Sequence, residues 1–145
     1  MEKIRIFKLS EAESRPLIAQ KENAGWIKRV IYPPHVITNN GTFFGVGEVN
    51  PGFSPHRWHN HDRDKAEGYS VEYPKNFEEI YYIVSGTGVM QWKTPDGKVK
   101  EEKVGPGDTI YMPGDAPQHQ LLNNGTEKIT LIFCGSPTAK VTFSK

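Results

Sequence analysis

Apolar and polar positions alternate in short runs along this chain, and each run ends at a cluster of Gly, Pro or Asn. Alternation with a period of two is the signature of a β-strand, whose successive side chains point to opposite faces. The pattern predicts strands over residues 4–9, 26–32, 42–49, 77–85, 88–94, 98–104, 108–112, 119–123 and 128–134, with a last one over 140–143. Turn chemistry separates them at Asn39-Asn40-Gly41, Asn50-Pro51-Gly52, Pro95-Asp96-Gly97, Gly105-Pro106-Gly107 and Asn123-Asn124-Gly125. So many short strands with such regular punctuation imply an all-β sandwich or a small barrel.

Two stretches break the rhythm. Residues 10–24 are polar and form either a short helix or an irregular N-terminal arm. Residues 62–76 carry Arg63, Asp64, Lys65, Glu67, Glu72 and Lys75, and read as a long loop, or as a loop with a short added strand over 69–73. Loops of that length in compact domains are functional or mobile, so this one is expected to act as a lid or an oligomer contact.

Length and charge narrow the picture. The 145 residues suit a single domain with one hydrophobic core. The net charge of +1 comes from 18 basic and 17 acidic residues scattered without a basic block, so nucleic acid is not an expected partner and a small molecule is. Cys134 is the only cysteine, which excludes an intrachain disulfide, and beside Leu131-Ile132-Phe133 it reads as a buried structural thiol. Met1-Glu2-Lys3-Ile4-Arg5 has no apolar signal core, and no apolar run approaches the ~20 residues of a membrane span, so a soluble cytoplasmic protein without membrane association is expected.

The candidate chemistry lies in Ser54-Pro55-His56-Arg57-Trp58-His59-Asn60-His61. On a strand, residues i and i+2 share a face, so His59 and His61 can aim both imidazoles at one point. His119 follows far downstream in another Gly/Pro-punctuated stretch. Lone histidines in β-proteins are usually surface or core residues; this spacing makes a metal site the better reading.

These segments resemble the two motifs of the cupin superfamily, G-x5-H-x-H-x3/4-E-x6-G and G-x5-P-x-G-x2-H-x3-N. Gly52, His59, His61, Glu79 and Gly86 fill the first, over about 52–86, and the six-residue interval to Gly86 selects Glu79 over Glu78. Gly107, Pro113, His119 and Asn123 fill the second, over about 107–123. Three departures fall in expected turns: one extra residue before His59, one before His119, and the 62–76 insertion between the second histidine and the glutamate. The resemblance implies a single-domain cupin-type barrel (a double-stranded β-helix, or jelly roll) spanning 1–145, with an N-terminal arm and pairing into a homodimer. It also implies one divalent metal ion held by His59, His61, Glu79 and His119.

Three neutral imidazoles and a carboxylate suit Mn, Fe, Zn, Ni or Cu and leave coordination positions open for substrate. Alternation from Glu79 turns Tyr81 and Ile83 inward, and alternation from His119 turns Leu121 and Asn123 inward. Tyr81 is therefore a candidate hydrogen-bond donor or acid, with a core tyrosine as the plain alternative. His56 is a candidate acid or base near the ligands, or else a surface histidine. Gln91 or Trp92 lines the cavity, depending on register. Arg57, Arg63, Lys65 and Lys75 read as solvated loop charges rather than an anion clamp, and His35 carries no role.

Two function classes follow. The first is a metal-dependent enzyme for a sugar, hydroxy-ketone or keto acid, favoured as an isomerase, epimerase or lyase over an iron-dependent dioxygenase. The second is a non-enzymatic small-molecule-binding protein. Residues 91–97 and 107–113 loosely resemble the corresponding region of cupin-type phosphoglucose isomerases, which favours the first.

Overall fold

The computed structural model describes residues 4–17, 23–61, 63–66 and 69–143. Its strands are β1 (Ser14–Pro16), β2 (Gly25–Ile31), β3 (Phe43–Val49), β4 (Arg63–Ala66), β5 (Tyr69–Glu72), β6 (Glu78–Ser85), β7 (Gly88–Lys93), β8 (Val99–Val104), β9 (Thr109–Met112), β10 (His119–Leu122), β11 (Ile129–Ser136) and β12 (Lys140–Phe143). A six-stranded sheet runs β1-β2-β3-β11-β6-β9, and two three-stranded sheets run β10-β7-β8 and β12-β5-β4. Every pairing is antiparallel.

Alternation built the large sheet as expected. Along β3, Phe43, Gly45, Gly47 and Val49 are buried while the residues between them are not, and along β11 Ile129, Leu131 and Phe133 do the same. These inner faces form the core with Phe77, Ile83 and Leu121. Burying a large aliphatic or aromatic side chain stabilises by about 1.5–3 kcal/mol, which is why register in these strands is firmly set.

Four expectations are corrected. Residues 4–9 form no strand: a single 3-10 turn covers Leu9–Glu11, and Ile4 and Ile6 are 83% and 78% exposed. The edge of β2 is instead taken by β1, through Ser14–Lys28, Arg15–Ile27 and Pro16–Trp26. The described part of the 10–24 arm thus holds the end of that 3-10 turn and a short strand, β1, that was not expected there. Residues 62–76 hold more than the one added strand expected over 69–73: that strand is β5, β4 pairs with it antiparallel, and β12 completes the sheet. Cys134 is half-buried, because it falls on the outward phase of β11.

No helix among the described residues is long and apolar enough to cross a membrane.

Candidate metal centre

His59 and His61 are not carried on a regular strand. His59 makes an isolated antiparallel bridge to His119, with His59 N–H donating to His119 O at 3.1 Å and His119 N–H returning to His59 O at 2.9 Å. The run from Gly52 onward lies along β10, since Gly52 N–H reaches Asn123 O at 2.7 Å and Asn123 N–H reaches Phe53 O at 2.9 Å. The extra residue before His59 is absorbed in this irregular stretch, and the i, i+2 spacing still delivers both rings to one place.

Backbone carbonyls orient the rings. Nδ1–H of His59 donates to Arg57 O at 2.8 Å, that of His119 to Pro117 O at 2.7 Å, and that of His61 more loosely to Pro113 O at 3.4 Å. Such bonds fix the tautomer and leave Nε2 as the lone-pair nitrogen. The ligand atoms of the three histidines lie within 4.8 Å of one another, and all three residues are buried. Nε2 of His61 and of His119 are buried without a hydrogen-bond partner. A buried lone pair without a partner costs about 1–3 kcal/mol, so this cluster is built for a ligand that would satisfy it. A divalent transition ion fits that requirement.

Protonation agrees. Burial, then the neighbouring histidines, pushes His59 far below the ordinary imidazole range; burial lowers His61 to about 4, and burial lowers His119 as well. All three are neutral near pH 7, as a metal ligand must be.

Glu79 sits beside this cluster, with Oε1 3.7 Å from His61 Nε2. Burial raises its carboxyl to about 8, against the pull of the Arg29 guanidinium. Its neighbour Glu78 is exposed and pairs with the Tyr111 hydroxyl, so strand phase separates the two glutamates.

A cavity of about 70 Å³ reaches the cluster at His59 and Glu79 and is walled also by His56, Tyr81, Arg29 and Tyr73 among others, while His61 and His119 are not on its wall. Tyr81 is inward and 7% exposed, and burial with the nearby Glu79 and Tyr73 drives its hydroxyl well above the ordinary tyrosine range. It therefore keeps its proton. The His56 ring packs on His59 with centroids 3.9 Å apart. Leu121 and Asn123 are buried as alternation required, and Asn123 serves the backbone rather than the cavity. Neither of the two alternatives on β7 lines this cavity: Trp92 stands opposite His119 and packs against the core, while Gln91 bonds Gln120 at 2.8 Å.

The residues missed by sequence reasoning are Arg29, Tyr32, Tyr73 and Gly47, all on the cavity wall. Arg29 had a usable signal: it shares the inward phase of Ile27, which is an odd place for a charge.

No protein-family model matches the chain. It is 38% identical over 60 residues to an uncharacterized protein of Methanocaldococcus jannaschii, covering 41% of this chain and 43% of that one. It is also 39% identical over 49 residues to a glucose-6-phosphate isomerase of Thermococcus kodakarensis, covering 34% of this chain and 25% of the isomerase. The match thus spans less than half the length of either relative. Among solved structures, the polyketide cyclase RemF of Streptomyces resistomycificus superposes with a TM-score of 0.61 at 14% identity, over 97% of this chain and 85% of the cyclase. A cupin 2 conserved barrel domain protein of Salinispora arenicola superposes with a TM-score of 0.55 at 18% identity, over 93% and 88%. At such identities the likeness is one of fold.

Proposed function

We propose that this chain, whose fold is the cupin barrel, is a metal-dependent enzyme for a small oxygenated substrate of the sugar, hydroxy-ketone or keto-acid type, working by isomerase, epimerase or lyase chemistry. The observation that carries this reading is the convergence of three neutral imidazoles, two with orphaned Nε2 atoms, beside Glu79, with His59 and Glu79 also on the wall of a cavity. The partial likeness to a glucose-6-phosphate isomerase favours the isomerase branch.

His59, His61, His119 and Glu79 would hold the ion. A divalent Mn, Fe, Zn, Ni or Cu ion supplies Lewis-acid polarisation of a substrate carbonyl and offsets negative charge that develops on it. The chain's own groups do the rest. Tyr81 retains its proton and so donates a hydrogen bond to a substrate oxygen. His56, at the cavity wall, would take a proton from a substrate carbon and return it to the neighbouring one. Apolar side chains make up much of the wall around them.

Elemental analysis by mass spectrometry tests the ligand set: the purified chain should carry a bound transition metal that His59→Ala and Glu79→Ala each sharply reduce. Unchanged metal in both variants would remove the proposed ligands. Turnover is read by deuterium uptake next to the carbonyl of candidate hydroxy-ketones in heavy water, and His56→Gln and Tyr81→Phe should lose it while retaining metal. Tight binding across the substrate panel with no exchange or turnover would make the protein a binding module instead.

A further inference from the structure

We propose that the substrate carries an aromatic ring on its hydroxy-ketone or keto-acid unit, and that a cleft lined by Trp92 between the edge strands β8 and β9 seats this ring; this rests on the reading of the histidine cluster as a metal centre. The place of the cleft is the first argument. Among the described residues β8 pairs only with β7, and β9 only with β6, so each is the edge of its sheet. A cleft of about 470 Å³ lies between them and is lined by His119. His119 belongs to the cluster as well, so a ligand in the cleft abuts the residues that would hold the ion.

Register builds the two walls. Antiparallel partners share a face of their sheet, and on one wall Trp92 stands opposite His119 and Met90 opposite Leu121. On the other, Met112 stands opposite Glu79 and Ile110 opposite Tyr81. The alternation that turns His119 and Glu79 inward therefore turns these four apolar side chains into the space between the sheets. Val104 and Ala116 join them on the lining.

Size and surface suit a flat apolar group. Pockets that enclose a drug-sized ligand measure about 300–1,000 Å³, a range that includes the cleft but not the cavity of about 70 Å³ at His59 and Glu79. Met90 and Met112 are buried, whereas Trp92, Ile110 and Val104 are only half-buried although they pack against the core. A half-buried indole offers a ring the offset or edge contacts that aromatic pairs prefer, and the two thioethers adapt to its outline.

The polar groups of the lining disfavour a sugar in the same place. The carbonyls of Pro113 and Pro117 already accept the ring N–H groups of His61 and His119. Glu102 stands opposite Met90 on the outermost strand and is exposed, as is Lys103 beside it. Asp108 accepts Gly105 N–H at 2.7 Å, and the Tyr111 hydroxyl pairs with Glu78. Each hydroxyl of a sugar placed against Met90, Trp92 and Met112 would lose water without gaining a partner, while an aromatic ring there only removes apolar area from water. Oxygens are needed at the end of the ligand next to the cluster, and nowhere else.

Calorimetric titration of the manganese-loaded protein with two matched pairs tests this: hydroxyacetone against α-hydroxyacetophenone, and pyruvate against phenylpyruvate, with fructose as the sugar. The aryl member of each pair should bind the native chain roughly tenfold to hundredfold more tightly than its parent, and fructose no more tightly than hydroxyacetone. Trp92→Ala should remove most of that preference while the parents' affinities and the metal per chain stay unchanged. Val104→Glu sets a charge at the cleft from a strand that carries no histidine and should act likewise; it decides the matter if Trp92→Ala does not fold. Equal affinities within each pair, fructose binding more tightly than the aryl ligands, or an aryl preference that survives these substitutions would overturn the proposal. A failure of the metal reading shows differently, as a native chain no richer in metal than His59→Ala.

Discussion

Asn123 shows how a single polar side chain holds the end of the ligand strand. It is fully buried, and its Nδ2 donates to Val49 O at 2.9 Å and to Glu127 O at 2.8 Å, while Gly125 N–H donates to its Oδ1 at 3.1 Å. Those three bonds tie β3, β10 and the following turn together a few residues from His119. Replacing it by Leu keeps the volume and strands all three backbone groups. Each unsatisfied group costs about 1–3 kcal/mol, so Asn123→Leu should lower the melting temperature by roughly 10 °C or more. Differential scanning calorimetry reads this, and a shift of a degree or two would mean that water replaces the amide without loss. The same reasoning explains why the histidines could be identified individually. The two-residue spacing of His59 and His61 is local, and the carbonyls that orient His59 and His119 belong to Arg57 and Pro117, each two residues upstream of the ring it fixes.

Elements were legible where one face of a strand is buried, and illegible where pairing depends on a distant partner. The phases of β3, β6 and β11 could be read because each buries alternate residues against the core. Residues 4–9 alternate equally well but pair with no strand, and β4 is hidden in a charged stretch because the sheet it forms with β5 is completed by β12, some seventy residues away. For the same reason the cavity wall was read only in part: Arg29, Tyr73 and Gly47 come from separate elements, and no local spacing links them. Turn glycines were readable because their demand is local. Gly86 closes the first motif at a φ of 84°, and a Cβ there would lie 2.2 Å from the Lys128 carbonyl oxygen. Gly86→Ala should therefore cost at least about 1–3 kcal/mol, from left-handed strain with the clash added. Chemical denaturation measures it, and Gly97→Ala is the control, since its φ of 82° is similar but no atom lies within 4 Å of the added Cβ. Equal losses in the two variants would leave backbone conformation, and not the close approach to β11, as the whole effect.

At the scale of the whole molecule, the buried site sets how stability of the metal-free protein depends on pH. Folded His61 titrates at about 4 instead of 6.5, and burial lowers His59 and His119 also. As pH falls from about 6.5 to about 4, the unfolded chain takes up protons that the folded chain refuses, and stability is lost over that window. For His61 alone the full difference corresponds to about 3 kcal/mol. Glu79 acts in the opposite sense. Its folded value of about 8 lies above the ordinary 4.5, so the folded chain keeps a proton that the unfolded chain releases, and stability declines as pH rises from about 4.5 to about 8. With three imidazoles against one carboxyl, the acid side is governed by the histidines and the side above about pH 6.5 by Glu79. After exhaustive chelation, the melting temperature should therefore pass through a maximum near about pH 6.5, and Glu79→Gln should flatten the alkaline limb while leaving the acid limb in place. Saturating metal should raise the curve most at and above neutral pH, because an ion that binds only the folded state adds stability and competes with protons for the same nitrogens and oxygens. A flat profile between about pH 5 and pH 8 in the chelated protein would mean that the cluster opens to water in solution, and that the burial of its ligands does not survive removal of the ion.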